Sequence, residues 1–528
     1  MKRILSLILF VAILSTSVLG LASCKPKNNK VDDGINYEID LANKPTLKVL
    51  MPNSGKSIDE VNSNVNATLI EQLTGYHVEY TQLPADASAA TTLTTIFMDK
   101  KDFNVMKLTK DQFSDYVAQD LLTDITDALS VFAPDILANI SEESWDVVTV
   151  DGRIYGIPER ASSDNIENPI ILNYDLMLQL GLDMPETLDE FTEVLEAMTD
   201  ALGKPALTFD KNTPLVYAIS AAFGIYSFWQ EYEIDGKTEI RFYMDAPRYG
   251  EYVAYMHELY TKGLIDQEVS TNDAADANTR FVNGFKANSQ GAKAGAYAAS
   301  LWSVPAIVTS LEANGIINAT EAKNGLDNYL GYLRALKANK GDAEKVYRSS
   351  GYTYITAIPY YMAENAGYAL DWMNSKIKDT ETEDNFRQIV LGTEGVHYNK
   401  TSEGYFPIDP AFNNDKDDAS YYMTGSNENK YTEYWKARVR KQPELFRAWS
   451  ELMDNADAVG VYNVVDFTPP IEAYNQNRAS VELFAQDCFY QMLKDGTGNL
   501  ESLLSQLNNT KGCKKATDAI NEWYKNSK

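Results

Sequence analysis

The chain has 528 residues, a formal charge of −28, and 44% hydrophobic and 11% aromatic residues. That length favours two or three lobes over a single core, and the apolar share excludes wholesale disorder. The acidity argues against nucleic acid, whose recognition is dominated by cationic contacts to phosphate, and makes a polyanionic ligand uncomfortable through repulsive steering.

The chain begins with Lys2 and Arg3, an apolar run from Ile4 to Leu21, then Leu21-Ala22-Ser23-Cys24 and the polar Lys25-Pro26-Lys27-Asn28-Asn29-Lys30. A basic start, a short apolar core and small residues before a cut describe an export signal. The run is at the short end of what a bilayer needs. With the cysteine at the first mature position, the segment resembles a bacterial lipobox. That resemblance implies lipid on Cys24, a signal peptide over 1–23, and a protein held at the extracellular face of the cytoplasmic membrane. Residues 24–44, charged and poor in large apolar side chains, read as a solvated tether. No later stretch is long and apolar enough to cross a membrane.

Leu47-Lys48-Val49-Leu50-Met51 is a short strand closed by the turn-prone Pro52-Asn53-Ser54-Gly55. A helical pattern through Leu69, Ile70 and Leu73 stops at Gly75, and His77 to Thr81 is a second strand. Strand, helix, strand at this spacing is a βαβ unit and points to an open α/β sheet. Asp151 to Pro158 is a turn and strand, and Ile170 to Tyr174 a further extended segment. Thr187 can cap a helix whose third residue, Glu190, reaches back to it; Leu188, Phe191, Val194, Leu195, Met198 and Leu202 line one face. Tyr249 to Leu264 repeats the amphipathic pattern. Tyr352 to Ile358 is a strand, Ala366 to Ile377 a helix, and the last hundred residues are mostly helical. Cys488 and Cys513 can pair in an oxidising compartment or stand as two unrelated buried thiols.

Five strings stand out in order: Leu121-Leu122-Thr123-Asp124-Ile125-Thr126, Asp151-Gly152-Arg153-Ile154-Tyr155-Gly156-Ile157-Pro158, Leu180 to Phe191, Leu259-Tyr260-Thr261-Lys262-Gly263-Leu264-Ile265-Asp266, and Gly392-Thr393-Glu394-Gly395-Val396-His397-Tyr398. Together, behind a lipobox, they resemble the extracellular solute-binding proteins, family 1, of ATP-driven sugar importers. Within that family the long lipoprotein-type oligosaccharide binders of Gram-positive bacteria are the nearest match. The resemblance implies a two-lobed α/β fold, periplasmic-binding-protein-like and of class II, whose hinged lobes close on a ligand. It places one lobe at 45–160 and 352–404 and the other at 161–351 and 405–528. It further implies an oligosaccharide ligand, ABC permease transmembrane subunits as partners, a monomer, and no cofactor or catalysis. Some alginate-binding relatives carry a calcium loop after the helix that begins here at Leu188. This chain has Thr199 to Pro205 there, without alternating oxygen ligands, so no calcium or other metal is expected at that loop. Asp415-Lys416-Asp417-Asp418 reads as a solvated loop.

A sugar cleft needs flat aromatic platforms and polar groups for hydroxyls. Trp302, ending the run from Gly295, is the first candidate, set against a place in the core. Tyr226 and Trp229 lie three apart, and a helical turn would put them on one face. Arg160 follows a crossing strand and can fork onto vicinal hydroxyls or make an interlobe salt bridge. Asn53 and Ser54 end the first strand, where open α/β sheets gather ligands. Glu394 and His397 sit at the last expected crossing, with a structural hydrogen bond the competing role for His397. Trp372 reads as core. Three histidines with no His-x-x-x-His pair leave no zinc-protease motif. A carboxylate pair for glycoside cleavage stays open among 75 acids. The rivals are therefore a tethered glycan-degrading enzyme and a peptide-binding importer subunit.

Overall fold

The computed structural model describes residues 33–527 except 87, 161–164, 287, 288 and 290. The leader and Cys24 lie outside the described residues. In chain order, the two principal sheets use β1 (Leu47–Met51), β2 (Val78–Gln82), β3 (Val105–Leu108), β4 (Ile157–Arg160), β5 (Ile170–Asn173), β6 (Leu207–Thr208), β7 (Ala296–Ala298), β8 (Leu330–Leu333) and β9 (Tyr352–Ala357). The helices that matter below are α1 (Val65–Thr74), α2 (Lys110–Val117), α3 (Leu188–Leu202), α4 (Ala366–Ile377), α5 (Glu428–Arg440), α6 (Pro443–Leu452) and α7 (Glu472–Asp495).

The first sheet has the order β2-β1-β3-β9-β4, with β1 parallel to both β2 and β3, and β9 antiparallel to β3 and β4. The second has the order β8-β5-β7-β6, with β7 antiparallel to β5 and parallel to β6. Each sheet anchors one lobe, as the resemblance implies.

Local sequence explains the elements. Leu47, Val49, Leu50 and Met51 are sealed inside β1, because both faces of a parallel strand are covered. Gly75 ends α1 at φ 70°, a left-handed conformation that costs a residue without Cβ nothing. The capping box of α3 forms in full, with Thr187 and Glu190 each accepting the other's backbone N–H. Phe191, Val194, Leu195 and Met198 of that helix face the second-lobe core.

Three stretches differ from the sequence reading. Residues 33–44, the described part of the expected tether, lie on the first lobe: Tyr37 stacks on Phe132, Lys44 pairs with Asp371, and the Asp40 N–H donates to the Tyr368 hydroxyl. The expected solvated loop at 415–418 is tied down instead. Lys416 is buried and donates to the Asn66 side chain and the Gln388 carbonyl; Asp417 pairs with Lys441 and Asp418 with Lys56. Finally, the start of the 405–528 stretch packs on the first lobe. Ala411–Lys416 and Ala419–Tyr422 lie against α1, and the Tyr422 hydroxyl donates to the Val61 carbonyl at 2.8 Å. From there α5 leads into α6, which packs on β8 of the second lobe.

Lys107 explains that strap. It sits mid-strand among apolar neighbours, and its ammonium meets Glu159 at 2.7 Å and the carbonyls of Tyr421 and Met423 at 3.1 and 2.9 Å. A buried ammonium without partners is prohibitively costly, so the loop that satisfies it is held in place. Lys376 adds bonds to the Tyr422 carbonyl and the Thr424 hydroxyl, with its charge over the Trp372 ring. Cys488 and Cys513 are separate, buried free thiols.

Candidate functional site

In the first sheet β1, β2, β3 and β4 all run toward one edge, where β9 begins. That edge carries Pro52 to Ser54, Gln82, Lys110, Arg160 and Tyr352. In the second sheet the ends of β6 and β7 and the start of β5 share an edge, carrying Phe209 to Tyr217, Ala299 to Trp302, and Glu167 to Pro169. The chain leaves the first edge after Arg160 and enters the second before Ile170, so the two edges face one another. Ligands of open α/β sheets gather at such carboxyl ends.

Three crossing segments are laced together between the edges. Val346–Tyr347 pairs in parallel with Gly460–Val461, and the Ser349 N–H donates to the Asn165 carbonyl at 2.8 Å. Arg160 Nε donates to the Ser350 carbonyl at 2.9 Å. The Ser350 hydroxyl in turn donates to Asp466 at 2.9 Å, as does the Asn463 amide at 3.1 Å. Burial holds the Asp466 carboxyl above its usual range, against the pull of Lys110. Lys110 donates to the Val465 and Asp466 carbonyls at 2.7 and 2.9 Å, and Asp111 pairs with Arg478 of α7.

On the second-lobe edge lies a hollow of about 200 Å³ whose walls include Asn168, Asp210, Thr213, Tyr217, Phe228 and Ser300. Tyr217 stacks on Tyr347 of a crossing segment with ring centres 4.5 Å apart. Trp302 stands beside Ser300, whose hydroxyl accepts the Trp302 backbone N–H. The indole is 39% exposed, a large apolar face open to solvent. Behind it Trp435 meets it edge-on at 5.4 Å, and Trp449 follows at 6.0 Å. Trp449 Nε1 donates to Asn165, which fixes the crossing segment next to Glu167. Burial pushes the Glu167 carboxyl up to about 7, with Trp302 and Asn165 offsetting part of the shift.

The other sequence candidates separate. Trp229 has 0% exposure, lodged between Phe242 and Tyr474 in the second-lobe core; the expected ligand contact is replaced by a core role because residue 229 opens a buried hairpin strand. Tyr226 is not on a shared helical face with it. It lines a second, larger hollow of about 770 Å³, with Glu143, Tyr462, Phe467 and Trp523. Arg160, besides its bond to Ser350, pairs with Glu143 of the first lobe at 3.2 Å and packs over Tyr352 and Phe467. Asn53 and Ser54 stand on the first edge, Ser54 Oγ donating to Gln82 at 2.6 Å. Tyr421 joins them by donating to the Pro52 carbonyl at 2.9 Å. Glu394 is exposed on a turn. Both ring nitrogens of His397 are engaged, with the Thr393 N–H at 2.9 Å and Asp415 at 3.0 Å, which is the structural role.

The sequence reading missed Glu167, Asn165, Tyr217 and Tyr421. For Tyr421 a signal existed: lone Lys107 within Val105-Met106-Lys107-Leu108 required a polar partner from elsewhere. Among the described residues no group of three or more His, Cys, Asp and Glu is placed to hold a metal ion.

Comparison with known proteins bears on this arrangement. The profile of the bacterial extracellular solute-binding proteins matches residues 57–376. An uncharacterized protein from the butB 5′ region of Niallia circulans is 30% identical over 280 residues, 53% of this chain and all of that protein. The fructooligosaccharide ABC transporter substrate-binding protein FusA of Streptococcus pneumoniae is 25% identical over 289 residues, 49% of this chain; the match spans about half (53%) of that relative's length. Among solved structures, the HMO-binding solute-binding protein of Bifidobacterium longum infantis superposes with a TM-score of 0.64 at 16% identity, covering 91% of this chain and 98% of its own, a likeness of fold. With the family profile spanning more than half of it, the chain belongs to the bacterial extracellular solute-binding protein family.

Proposed function

We propose that this protein captures an oligosaccharide between its two lobes outside the cell and delivers it to the transmembrane subunits of an ABC importer, without chemistry on the ligand. Lipid on Cys24 moors it to the outer face of the cytoplasmic membrane, and it works as a monomer. The observation that carries this reading is the exposed Trp302 side chain two residues from Ser300, which is in the wall of a hollow that mixes apolar and polar groups on the second-lobe edge. An indole face supplies contact area for sugar C–H groups at low entropic cost, and amide, hydroxyl and carboxylate groups suit the hydroxyls. Asn53, Ser54 and Tyr421 would face the same ligand from the first lobe. FusA, matched over about half of its length, is named for fructooligosaccharides, which supports an oligosaccharide as the ligand here. Closure follows from tighter contact in the closed state, since a ligand shifts an equilibrium only by its differential affinity.

Titration calorimetry against purified neutral and acidic oligosaccharides and short peptides tests this reading, with reducing ends assayed alongside. Saturable binding of a saccharide with no product is expected. Accumulating reducing ends, or binding of peptides alone, would overturn it.

A further inference from the structure

The larger hollow, about 770 Å³, draws its walls from three parts of the molecule. Glu143 and Asp146 come from the short helix Glu142–Asp146, which packs on β4 of the first lobe. Tyr462 and Phe467 belong to the last crossing segment and meet edge-on at 5.3 Å. Tyr226 lies just ahead of the hairpin strand that opens at Trp229. Trp523 is on the helix Cys513–Ser527, which packs against that hairpin in the second lobe. No residue lining this hollow also lines the smaller one at Ser300, and none of Trp302, Asn53, Ser54 and Tyr421 is in its wall. Its volume falls within the range of about 300–1,000 Å³ usual for small-molecule sites.

Bonds within the protein leave particular groups over. Gln230 is spent: its side-chain oxygen accepts from the Tyr226 and Ser227 N–H groups, and its amide donates to the Gly224 carbonyl. Lys345, the one cation in the wall, donates to the Ala458 carbonyl at 2.8 Å, and Glu143 pairs with Arg160. The Tyr226 hydroxyl, the Trp523 Nε1–H and the Asp146 carboxylate make no hydrogen bond to any described residue. Two donors and an acceptor thus stand among aromatic faces. A sugar ring matches that set, with C–H groups for the rings and hydroxyls that accept from Tyr226 and Trp523 and donate to Asp146. An apolar ligand strands all three polar groups, and an organic cation leaves both donors unmatched. An anion meets Asp146 and Glu231 with the only lining cation already engaged.

We infer that this hollow is a second saccharide site, walled by both lobes and the crossing segment and separate from the site at Trp302. The inference rests on the oligosaccharide reading above for its class of ligand. Trp523 supplies the platform from the second lobe and Asp146 the hydroxyl acceptor from the first.

The test titrates the purified protein, carrying fluorinated tryptophan, with neutral tetrasaccharides of the gluco-, manno-, xylo- and fructo-series. The Trp302 and Trp523 fluorine resonances are assigned by Trp302→Phe and Trp523→Phe. With at least one of these sugars both resonances should move, at separate midpoints. In Trp302→Ala the Trp523 midpoint should stay within about twofold of the parent's. Asp146 is exposed and unbonded, so Asp146→Ala spares the fold; it should raise the Trp523 midpoint by about fivefold or more and leave the Trp302 midpoint in place. A Trp523 resonance unmoved by every probe up to about 20 mM, while Trp302 responds, would overturn the inference and leave the oligosaccharide reading standing. So would a Trp523 midpoint that coincides with that of Trp302 and weakens with it in Trp302→Ala, because that resonance would be reporting closure alone. An Asp146→Ala midpoint equal to the parent's would overturn the two-lobed site. Silence of both resonances with no calorimetric heat would sink the functional reading itself.

Discussion

The ammonium of Lys110, at the first turn of a first-lobe helix, donates to the backbone carbonyl of Asp466 at 2.9 Å and so fastens the last crossing segment to the first sheet's edge. The lysine stem is half exposed while its charged end is crowded, and burial pushes its pKa down to about 8. Bonds to charged donors contribute about 1.5–3 kcal/mol each when intact. Lys110→Met should therefore lower the unfolding free energy by roughly that amount and shift the lobe equilibrium, so that ligand affinity changes although residue 110 touches no sugar. Denaturant melts and calorimetry on the same preparation check this. An unchanged melt would show the tie to be idle.

Trp302 and Trp229 make opposite predictions from one residue type. Trp302→Ala removes an exposed face and should weaken saccharide binding by about 1–3 kcal/mol with little loss of stability. Trp229→Ala hollows a sealed core and should cost about 3–5 kcal/mol of stability while the folded fraction keeps its affinity. Paired calorimetry and chemical denaturation distinguish them; exchanged phenotypes would reverse the two assignments.

Glu167 should leave a mark on stability. Its carboxyl is raised to about 7 in the folded chain, against about 4.5 when unfolded. Below the lower value both states are protonated and its contribution is fully present. As pH rises toward 7 the unfolded chain ionises first, so this contribution is lost across that window. Glu167→Gln should flatten the fall in melting temperature between about pH 4.5 and 7 relative to the parent. Parallel curves would mean the carboxyl is not strained.

The proposed anchor rests on one side chain, Cys24. Cys24→Ala should move the protein from the membrane fraction into the medium and abolish incorporation of labelled fatty acid, while the lobes keep their melting temperature. Persistent membrane association would require a different anchor.

Much of the scaffold was readable from local pattern. The Thr187–Glu190 capping box and the Gly75 stop are dictated within a few residues, and both appear where spacing put them. Even there β2 begins at Val78, one residue later than expected. What local pattern could not supply is which distant residues meet. Residues 415–418 look solvated by composition, yet Lys416 is buried because Asn66 and Gln388, far away in the chain, provide its partners. Tyr226 and Trp229 look like one cluster, but the strand opening at Trp229 turns that ring into the core and leaves Tyr226 on another cavity. Glu167 carries no motif at all. Its surroundings emerge only once Leu301 and Trp302, more than a hundred residues on, are brought beside it.

Small-angle X-ray scattering of the purified protein, with and without a saccharide at calorimetric saturation, tests the clamp most directly. The account predicts a measurable fall in radius of gyration when the lobes close. A saturated complex with an unchanged scattering profile would contradict it.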